Sequence, residues 1–437
     1  MIKIIKASEL QTDFFAPRDF VSVGESVKKI IADVKQNGDA ALAKYAKQFD
    51  KVSLEKFLVD ETDVKFATEK LQKENAKLYD ALLYARDLIF RFAQKQKECF
   101  YDFETELESG VFTGQKIIPV ERAGVYVPAG NFPLFSSVLM TVMPAKASGV
   151  SEIILCTPPR RHPDDEKKAY ADENILAAAY LCGVEKIFAA GGAQAIGAMA
   201  FGTESIPPCD VIAGPGNKFV AEAKKEVYGK VGIDMLAGPT EVFIIADGNA
   251  NAKWVASDLL AQAEHDVAAQ AILATNDEGF AHAVQTELDA QLKTLATKAI
   301  AEKSINDFGK IIIAKTLDEA CDIANKKAPE HLELALCECD ERTRLEKKLH
   351  NFGSLFAGHG AAEVLGDYAA GLNHTLPTST SARFTGGLSV RAFLKTVTTL
   401  RVDVSKKGFQ RSANAARILG EAEGLVGHAN AARFRIE

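Results

Sequence analysis

The chain has 437 residues, which suits two or three domains, and its 47% hydrophobic and 25% charged residues are ordinary for a globular protein. Its net charge of −7 argues against a general nucleic-acid binder, because such proteins present basic faces. The seven cysteines show no CxxC spacing, the opening Met-Ile-Lys-Ile-Ile-Lys is too short for a signal peptide, and no apolar run approaches the roughly 20 residues of a membrane helix. We therefore expect a cytoplasmic protein with reduced thiols and no membrane partner.

Residues 1–115 are predicted to be mainly helical. Apolar residues between 27 and 34 recur at helical spacing, and Asn37-Gly38 should end that helix. A second helix should open at Asp39, and a longer one should run from about 74 to 96. No phosphate loop or catalytic cluster occurs here, so we interpret the region as scaffold that packs on the core.

Residues 116–236 alternate short strands with helices, which is typical of a parallel, doubly wound sheet. Three glycine-rich turns follow strands here, and two of them open helices, where free backbone N–H groups favour anions. None matches GxGxxG, and each alone is more often a plain tight turn, but three on one sheet favour a nucleotide crevice. The predicted strands are 117–120, 125–127, 153–156, 187–190 and 211–213, and the turns are 124–130, 191–194 and 214–217.

Residues 237–376 repeat this alternation, so two tandem Rossmann-like, doubly wound domains fit better than one large sheet. The boundary should fall at the turn Ala237-Gly238-Pro239. The second set of predicted strands is 242–246, 271–275, 311–314, 332–336 and 354–357.

Residues 377–437 should form a C-terminal tail, because the alternation stops after Leu376-Pro377. We predict a short helix near Arg391 and a longer one from about 405 to 420. The tail carries few core residues, so it should pack on something other than its own compact domain, and a partner subunit is one candidate.

Residues 258–266, Asp-Leu-Leu-Ala-Gln-Ala-Glu-His-Asp, carry the most informative chemistry. They lie in a helical pattern that begins near Asn251, and Gln262 and His265, three residues apart, should project from one side of it. Imidazole is a common zinc ligand and an amide oxygen an unusual one. The pair is therefore half of a possible tetrahedral metal site that needs two more donors.

Three later segments hold further ionisable groups. Glu330 and His331 follow a proline of fixed φ and offer adjacent proton-transfer groups, although a surface pair at a loop-to-strand junction is the plain alternative. Asp367 is a possible hard ligand or a backbone cap, and His374 follows seven residues later. Residues 423–428 hold a Glu and a His, or simply a charged helix end. The histidines without such context are expected at the surface: His162, His282, His350 and His359.

Taken together, these segments resemble the histidinol dehydrogenase family over nearly the whole chain, from about residue 27 to the C-terminus. The matching strings are long and ordered, which makes a chance match untenable. They are GVYVPAG (124–130), GGAQAIGAMAFGT (191–203), GPGNKFV (214–220), GIDMLAGPTEV (232–242), DLLAQAEHD (258–266), APEHLEL (328–334), LGDYAAGLNHTLPT (365–378) and EGLVGH (423–428).

The resemblance implies an aldehyde/histidinol dehydrogenase-like fold and the oxidation of L-histidinol to L-histidine in two NAD-dependent steps through bound L-histidinal, the last steps of histidine biosynthesis. It also implies one Zn²⁺ per subunit and a homodimer whose site is completed across subunits. Residues 116–236 would then bind NAD, and residues 237–376 would carry most zinc and catalytic residues.

Carried over position by position, the resemblance makes Glu330 and His331 the catalytic pair. The NAD contacts would be Tyr126, Gln194 and Asn217, one from each glycine-rich turn. The zinc ligands would be Gln262, His265, Asp367 and His428, the last from the other subunit. The substrate contacts would be Ser136, Thr240, Gln262, His265, His331, Glu363, Asp367, His374, Glu423 and His428.

These residue types suit the implied chemistry. A neutral histidine near pH 7 can take the alcohol proton as hydride leaves, which is a role for His331. The second oxidation needs water added to the aldehyde, and Glu330 can activate it. Zinc would hold the imidazole and amino nitrogens of histidinol as a template, and NAD would accept the hydride.

Some positions depart from the family pattern. Thr240 stands where the family usually has Ser, and Ala129 replaces a usual glycine. Residues 379–388 partly resemble paralogues that oxidise other small alcohols, such as sulfopropanediol, but Gly-Asp-Tyr, the proline before Glu330, and Glu363 are intact. We expect histidinol as substrate, with such a paralogue as the alternative. A catalytically dead metal- or nucleotide-binding protein is a third hypothesis, and the intact catalytic pair speaks against it.

Overall fold

Residues 2–18, 23–130 and 133–437 are described by the computed structural model. Two parallel sheets flanked by helices form the body of the protein, and a small antiparallel sheet and a helical tail complete it. Within these described ranges, no helix is both long and apolar enough to cross a membrane.

The N-terminal region is mainly helical but begins with a strand. Gly38 has a φ of 51° and interrupts the first long helix, so the break predicted there is confirmed. Asn75 caps the third helix by accepting a hydrogen bond from the Leu78 N–H at 3.2 Å. The elements are β1 (Lys3–Lys6), α1 (Gly24–Tyr45), α2 (Glu61–Glu74) and α3 (Ala76–Lys97).

The next region comprises β2 (Phe103–Glu108), β3 (Val111–Pro119), β4 (Arg122–Tyr126), α4 (Ser136–Ser148), β5 (Glu152–Thr157), α5 (Glu173–Leu181), β6 (Lys186–Ala189), α6 (Gly192–Phe201), β7 (Val211–Ala213), α7 (Lys218–Val227) and β8 (Gly232–Ile233). Five of these strands form a parallel sheet in the order β6-β5-β4-β7-β8. The predicted strands from 125 to 213 are all in it. The strand predicted at 117–120 instead belongs to β3, which pairs antiparallel with β2 in a separate sheet.

The following region comprises β9 (Glu241–Ala246), α8 (Ala252–Ala263), β10 (Gln270–Thr275), α9 (Glu278–Leu292), α10 (Lys298–Asp307), β11 (Lys310–Ile313), α11 (Leu317–Lys327), β12 (His331–Ala335), α12 (Asp340–Lys348), β13 (Ser354–Ala357) and α13 (Glu363–Tyr368). The second sheet is parallel, in the order β1-β11-β10-β9-β12-β13. Every residue of β9 is buried, because helices cover both faces of a parallel sheet. The predicted pair of doubly wound sheets is therefore confirmed.

The C-terminal region contains β14 (Leu394–Val402), α14 (Lys407–Ala422) and α15 (Val426–Arg433). β14 pairs antiparallel with β3, a pairing that the sequence did not predict. The helix predicted from 405 to 420 is present, and α15 packs against it where Gly420 lets Ala429 approach closely. Large apolar side chains of the tail stay exposed: Ile418, Leu419, Leu425, Val426 and Phe434.

Candidate active site

The candidate active site lies at the amino ends of β9 and β12, neighbouring strands of the second sheet. His331 opens β12 and is paired in register with Val242 of β9. Thr240 immediately precedes β9, and α13 contributes Glu363 and Asp367 from above the same edge. Ser136 at the start of α4 lies 3.4 Å from the His374 ring, so the carboxyl edge of the first sheet faces this site.

Glu330 and His331 are buried side by side, and both contact the backbone of Glu241. The Glu241 N–H donates to Glu330 Oε2 at 2.9 Å, and the Glu241 carbonyl lies 3.3 Å from His331 Nδ1. Since a carbonyl only accepts, Nδ1 carries a proton and Nε2 is the ring nitrogen that faces Asp367 Oδ1 at 3.3 Å. Thr240 Oγ1 lies 2.5 Å from Glu330 Oε2. The predicted surface alternative for this pair is wrong, because both side chains are in the interior.

Burial and crowded carboxylates perturb the ionisation of this cluster. Burial raises the pKa of Glu330 to about 7, against the opposing pull of His331 and the hydrogen bonds from Thr240 and Glu241. Burial alone would lower the pKa of His331, but Glu330, Asp367 and Glu363 outweigh it and raise that pKa to about 10. Groups with strongly shifted pKa values in one cleft are typical of a catalytic site.

Gln262 lies at the end of α8 between two other site residues. Its amide is 2.5 Å from Thr240 Oγ1, and its nitrogen donates to the Glu363 carboxyl group at 2.9 Å when its oxygen faces Thr240. α8 ends at Ala263, so His265 lies in the turn beyond the helix rather than on its side, which corrects the sequence prediction. His265 is exposed at the mouth of the site.

Asp367 is the group around which the histidines of the site gather. Burial opposes its ionisation, but the hydrogen bond with His331 and the nearby rings of His374 and His265 lower its pKa. A charged carboxylate therefore sits next to imidazoles, and this donor set suits a divalent cation.

Glu423 and His428 lie apart from this cluster in the single chain. Both are exposed on the tail, in the short turn after α14 and on α15. Within the described part of the chain, no three His, Cys, Asp or Glu side chains are close enough together to hold a metal ion. One chain by itself places His265 within electrostatic reach of Asp367 and Gln262 beside Glu363, and it leaves His428 exposed on the tail.

The three residues predicted to contact a dinucleotide follow β4, β6 and β7 or end them, at the carboxyl edge of the first sheet. Tyr126 is buried, and its hydroxyl accepts a hydrogen bond from the Gly192 N–H at 3.0 Å. Asn217 caps α7 by accepting from Phe219 N–H at 3.0 Å, and Gln194 is buried in the first turn of α6. This edge is where open α/β sheets bind ligands.

The loop between β7 and α7 is held by a buried ion pair that the sequence did not reveal. Lys224 forms an ion pair with Asp234, and its ammonium also donates to the Gly214 carbonyl at 3.1 Å. The Asp234 carboxylate accepts from the Gly214 N–H at 2.8 Å. Gly214 has a φ of 127°, and a Cβ there would lie 2.1 Å from the Tyr126 carbonyl oxygen. Only glycine therefore fits at this position.

Sequence reasoning also misplaced one histidine and missed a layer of acidic residues. His162 is buried, where its Nδ1 accepts from the Asp164 N–H at 3.0 Å, so its predicted surface position is wrong. Glu333 is buried behind the site and accepts from the Glu363 N–H at 2.8 Å. Its place in the string Glu-His-Leu-Glu, with alternate residues of a strand pointing the same way, was the available signal.

Comparisons with known proteins agree with this architecture. The family model described as histidinol dehydrogenase matches residues 16–436. A histidinol dehydrogenase from Streptococcus mutans serotype c is 44% identical over 418 residues, which cover 96% of this chain and 94% of that protein. The chain belongs to the histidinol dehydrogenase family.

The solved structures lead to the same conclusion. The crystal structure of histidinol dehydrogenase from Elizabethkingia anophelis superposes with a TM-score of 0.91 at 35% identity, covering 100% of this chain and 98% of that one. An NAD-dependent aldehyde dehydrogenase from Sinorhizobium meliloti, at 14% identity and a TM-score of 0.50, covers 87% of this chain and 88% of its own and shares the fold alone. This histidinol dehydrogenase family member is accordingly an oxidoreductase, an NAD-dependent dehydrogenase.

Proposed function

We propose that the protein is a zinc-dependent enzyme that oxidises L-histidinol to L-histidine in two NAD-dependent steps through bound L-histidinal. The observation that carries this proposal is the buried Glu330–His331 pair, which Glu241, Thr240 and Asp367 hold in place. The pair lies at the edge of the second sheet that faces the first parallel sheet. Its family membership supports the substrate and a place in the last steps of histidine biosynthesis. A cytoplasmic location fits such a role.

The proposed zinc ligands fit a divalent cation in their chemistry. Asp367 is held as a carboxylate by its histidine neighbours, His265 offers an imidazole, and Gln262 offers an amide oxygen. His428 would complete the set from a second copy of the chain. Bound zinc would supply a positive charge that orients the nitrogens of histidinol and offsets the carboxylates around His331.

In the first step, we propose that His331 acts as the base once bound zinc offsets the carboxylates that raise its pKa and so favours the neutral ring. Its Nε2 takes the proton of the alcohol hydroxyl while a hydride passes from the carbon that bears this hydroxyl to NAD⁺, which yields the aldehyde and NADH. In the second step, Glu330 takes a proton from the water that adds to the aldehyde. The resulting hydrate anion gives its hydride to a second NAD⁺, and the carboxylic acid so formed releases its remaining proton to solvent and becomes the carboxylate. The burial of both side chains excludes competing water.

We propose that NAD binds at the carboxyl edge of the first sheet, in contact with Tyr126 at the end of β4, Gln194 in the first turn of α6 and Asn217 at the start of α7. α6 and α7 begin at this edge, and the free N–H groups of their N-termini favour the binding of a pyrophosphate. The substrate would lie between this edge and the second sheet, in contact with Ser136, Thr240, Glu363 and His374 as well as the proposed metal ligands.

We propose further that the enzyme is a homodimer in which the tail of one subunit carries Glu423 and His428 into the site of the other. The support is the exposure of both residues, of His265 at the mouth of the site, and of the apolar side chains along α14 and α15. Exposed apolar surface of this kind is typical of a protein interface.

The test is the stoichiometry of NADH formed per histidinol by the purified, zinc-loaded enzyme. We expect two NADH per histidinol, loss of turnover after chelation and recovery with added Zn²⁺. A panel containing sulfopropanediol and amino alcohols without an imidazole is the specificity control. No turnover of histidinol with zinc present would contradict the proposal, and preference for a substrate without imidazole would assign the protein to a paralogous activity.

A further inference from the structure

The backbone of Glu241 contacts both members of the proposed catalytic pair, through the N–H on one side of its Cα and the carbonyl on the other. Its N–H donates to Glu330 at 2.9 Å and its carbonyl accepts from the His331 ring at 3.3 Å. A change in the φ or ψ angle of Glu241 would lengthen one contact or both. The orientation of Glu241 therefore determines where the two side chains point.

The side chain of Glu241 is itself anchored on both carboxylate oxygens. Oε1 accepts from the Ser379 N–H at 2.9 Å, and Oε2 lies 3.2 Å from the ammonium of Lys327. The two charged side chains are 2% and 1% exposed, so water does not screen their attraction. Lys327 ends α11, three residues before Glu330, so the ion pair ties the segment that carries the catalytic pair to the strand beside it.

The second anchor lies in a turn of unfavourable backbone conformation. Ser379 and Thr380 have φ values of 52° and 70°, which residues with a Cβ seldom adopt. Such conformations persist when neighbouring contacts hold them, and they concentrate at functional sites. The Glu241 carboxylate supplies one of these contacts.

We propose that the buried Lys327–Glu241 ion pair is a positioning device for catalysis, which fixes the backbone of Glu241 so that it aligns Glu330 and His331. This inference rests on the proposed function. Neither residue reaches the reacting atoms, so both act through the catalytic pair. Removing the lysine takes away the ammonium partner of a buried carboxylate, which must then turn or recruit water. A displacement of the pair by about 1 Å is enough to slow catalysis about 100-fold.

The test uses the full-length, zinc-loaded enzyme with histidinol and NAD. Lys327→Met should lower kcat by roughly 10- to 100-fold and leave both KM values within about twofold, since positioning of reacting groups is lost and ground-state binding is kept. The double variant Lys327→Met/Glu241→Gln should recover about tenfold of that loss, because it leaves no unpaired charge. A merely structural role would lower the melting temperature without this recovery of kcat.

The matched control is Lys224→Met, which breaks an equally buried ion pair at the loop after β7 and should raise the KM for NAD instead. A folded Lys327→Met enzyme with wild-type kcat, a change confined to KM, or a double variant as slow as the single one would each overturn the inference. If Lys327→Met does not fold, Glu241→Gln decides: a several-fold loss of kcat supports the inference and wild-type kcat overturns it. An inactive wild-type enzyme would instead contradict the proposed function.

Discussion

Glu330 is a carboxyl group whose surroundings bring its protonation into the physiological pH range. Burial raises its pKa to about 7, while the Thr240 hydroxyl and the Glu241 N–H still stabilise its charged form. A catalytic base is most useful when its pKa lies near the working pH. The geometry thus gives Glu330 the properties that the proposed second oxidation requires.

The pH dependence of the aldehyde step follows from this raised pKa. The base form of Glu330 is present above about pH 7 and disappears as the pH falls through that value. We expect kcat with histidinal as substrate to decrease on the acid side with a midpoint near 7. The measurement is a pH profile of histidinal oxidation at saturating NAD, and a profile that is flat through neutral pH would contradict the role of Glu330.

Glu330→Gln should separate the two oxidations. The amide can still accept from the Glu241 N–H but cannot take a proton from water, so histidinal oxidation should fall about 100- to 10,000-fold while the alcohol step falls much less. Rapid-mixing measurement of the first and second NADH distinguishes the steps. Equal losses in both would refute this division of labour between Glu330 and His331.

At the level of elements, the shape of the loop between β7 and α7 is fixed by side chains that lie outside the loop. Lys224 and Asp234 both hold Gly214, so the loop has a fixed shape before a cofactor arrives. Preorganisation of this kind reduces the entropy lost on binding.

Lys224→Met should therefore raise the KM for NAD by about tenfold while kcat at saturating NAD changes little. Breaking a buried ion pair also lowers stability by about 3–5 kcal/mol, so the melting temperature must be recorded with the kinetics. An unchanged KM for NAD in a folded variant would show that this brace does not serve the proposed cofactor site.

The sequence predicted the positions of the helices and strands better than it predicted which strands pair with each other. Strands of the two parallel sheets appear where apolar runs predicted them, because burial on both faces leaves a strong hydrophobic signal. β14, with the residues Leu-Lys-Thr-Val-Thr-Thr-Leu-Arg-Val, was missed because it is mostly exposed and pairs with a strand far away in the chain. β1 was missed because four residues carry too weak a pattern.

In the candidate site, too, the sequence identified the residues but not the contacts between them. Its residues could be named from long ordered strings, but the contacts among them are tertiary. Nothing in the order of residues indicates that the backbone of Glu241 contacts Glu330 and His331, or that Lys327 faces Glu241. Similarly, Glu423 and His428 are exposed because of how α14 and α15 pack, which is also a tertiary property.

On the scale of the whole molecule, the open question is whether the His428 of each proposed site comes from the same chain or from the other subunit. His428→Ala and Glu330→Gln should each form almost no histidine as pure dimers, so histidine formation is the activity to measure. If the tail crosses between subunits, a mixed dimer contains one site with both Glu330 and the His428 of the other chain. Unfolding and refolding the two variants together should then restore activity toward a quarter of the wild-type level.

The control for this experiment is each variant refolded alone, which should stay inactive. Because a tail that serves its own chain leaves every site of the mixed dimer defective, a mixture no more active than the separate variants would refute the crossed arrangement. A fully active His428→Ala enzyme would show that His428 is not needed in either chain's site, which would contradict its proposed role as a zinc ligand.

The pairing of β1 with β11 has a consequence for how the protein forms during its synthesis. The first sheet is built from strands between residues 122 and 233, so it can assemble as soon as that stretch has left the ribosome. β1 is made first, yet its partner β11 appears about 300 residues later, a delay of roughly 15–60 s at ~5–20 residues per second. During that interval Lys3–Lys6 lack the strand with which they pair in the folded protein, and we expect a chaperone to act on this segment of the nascent chain.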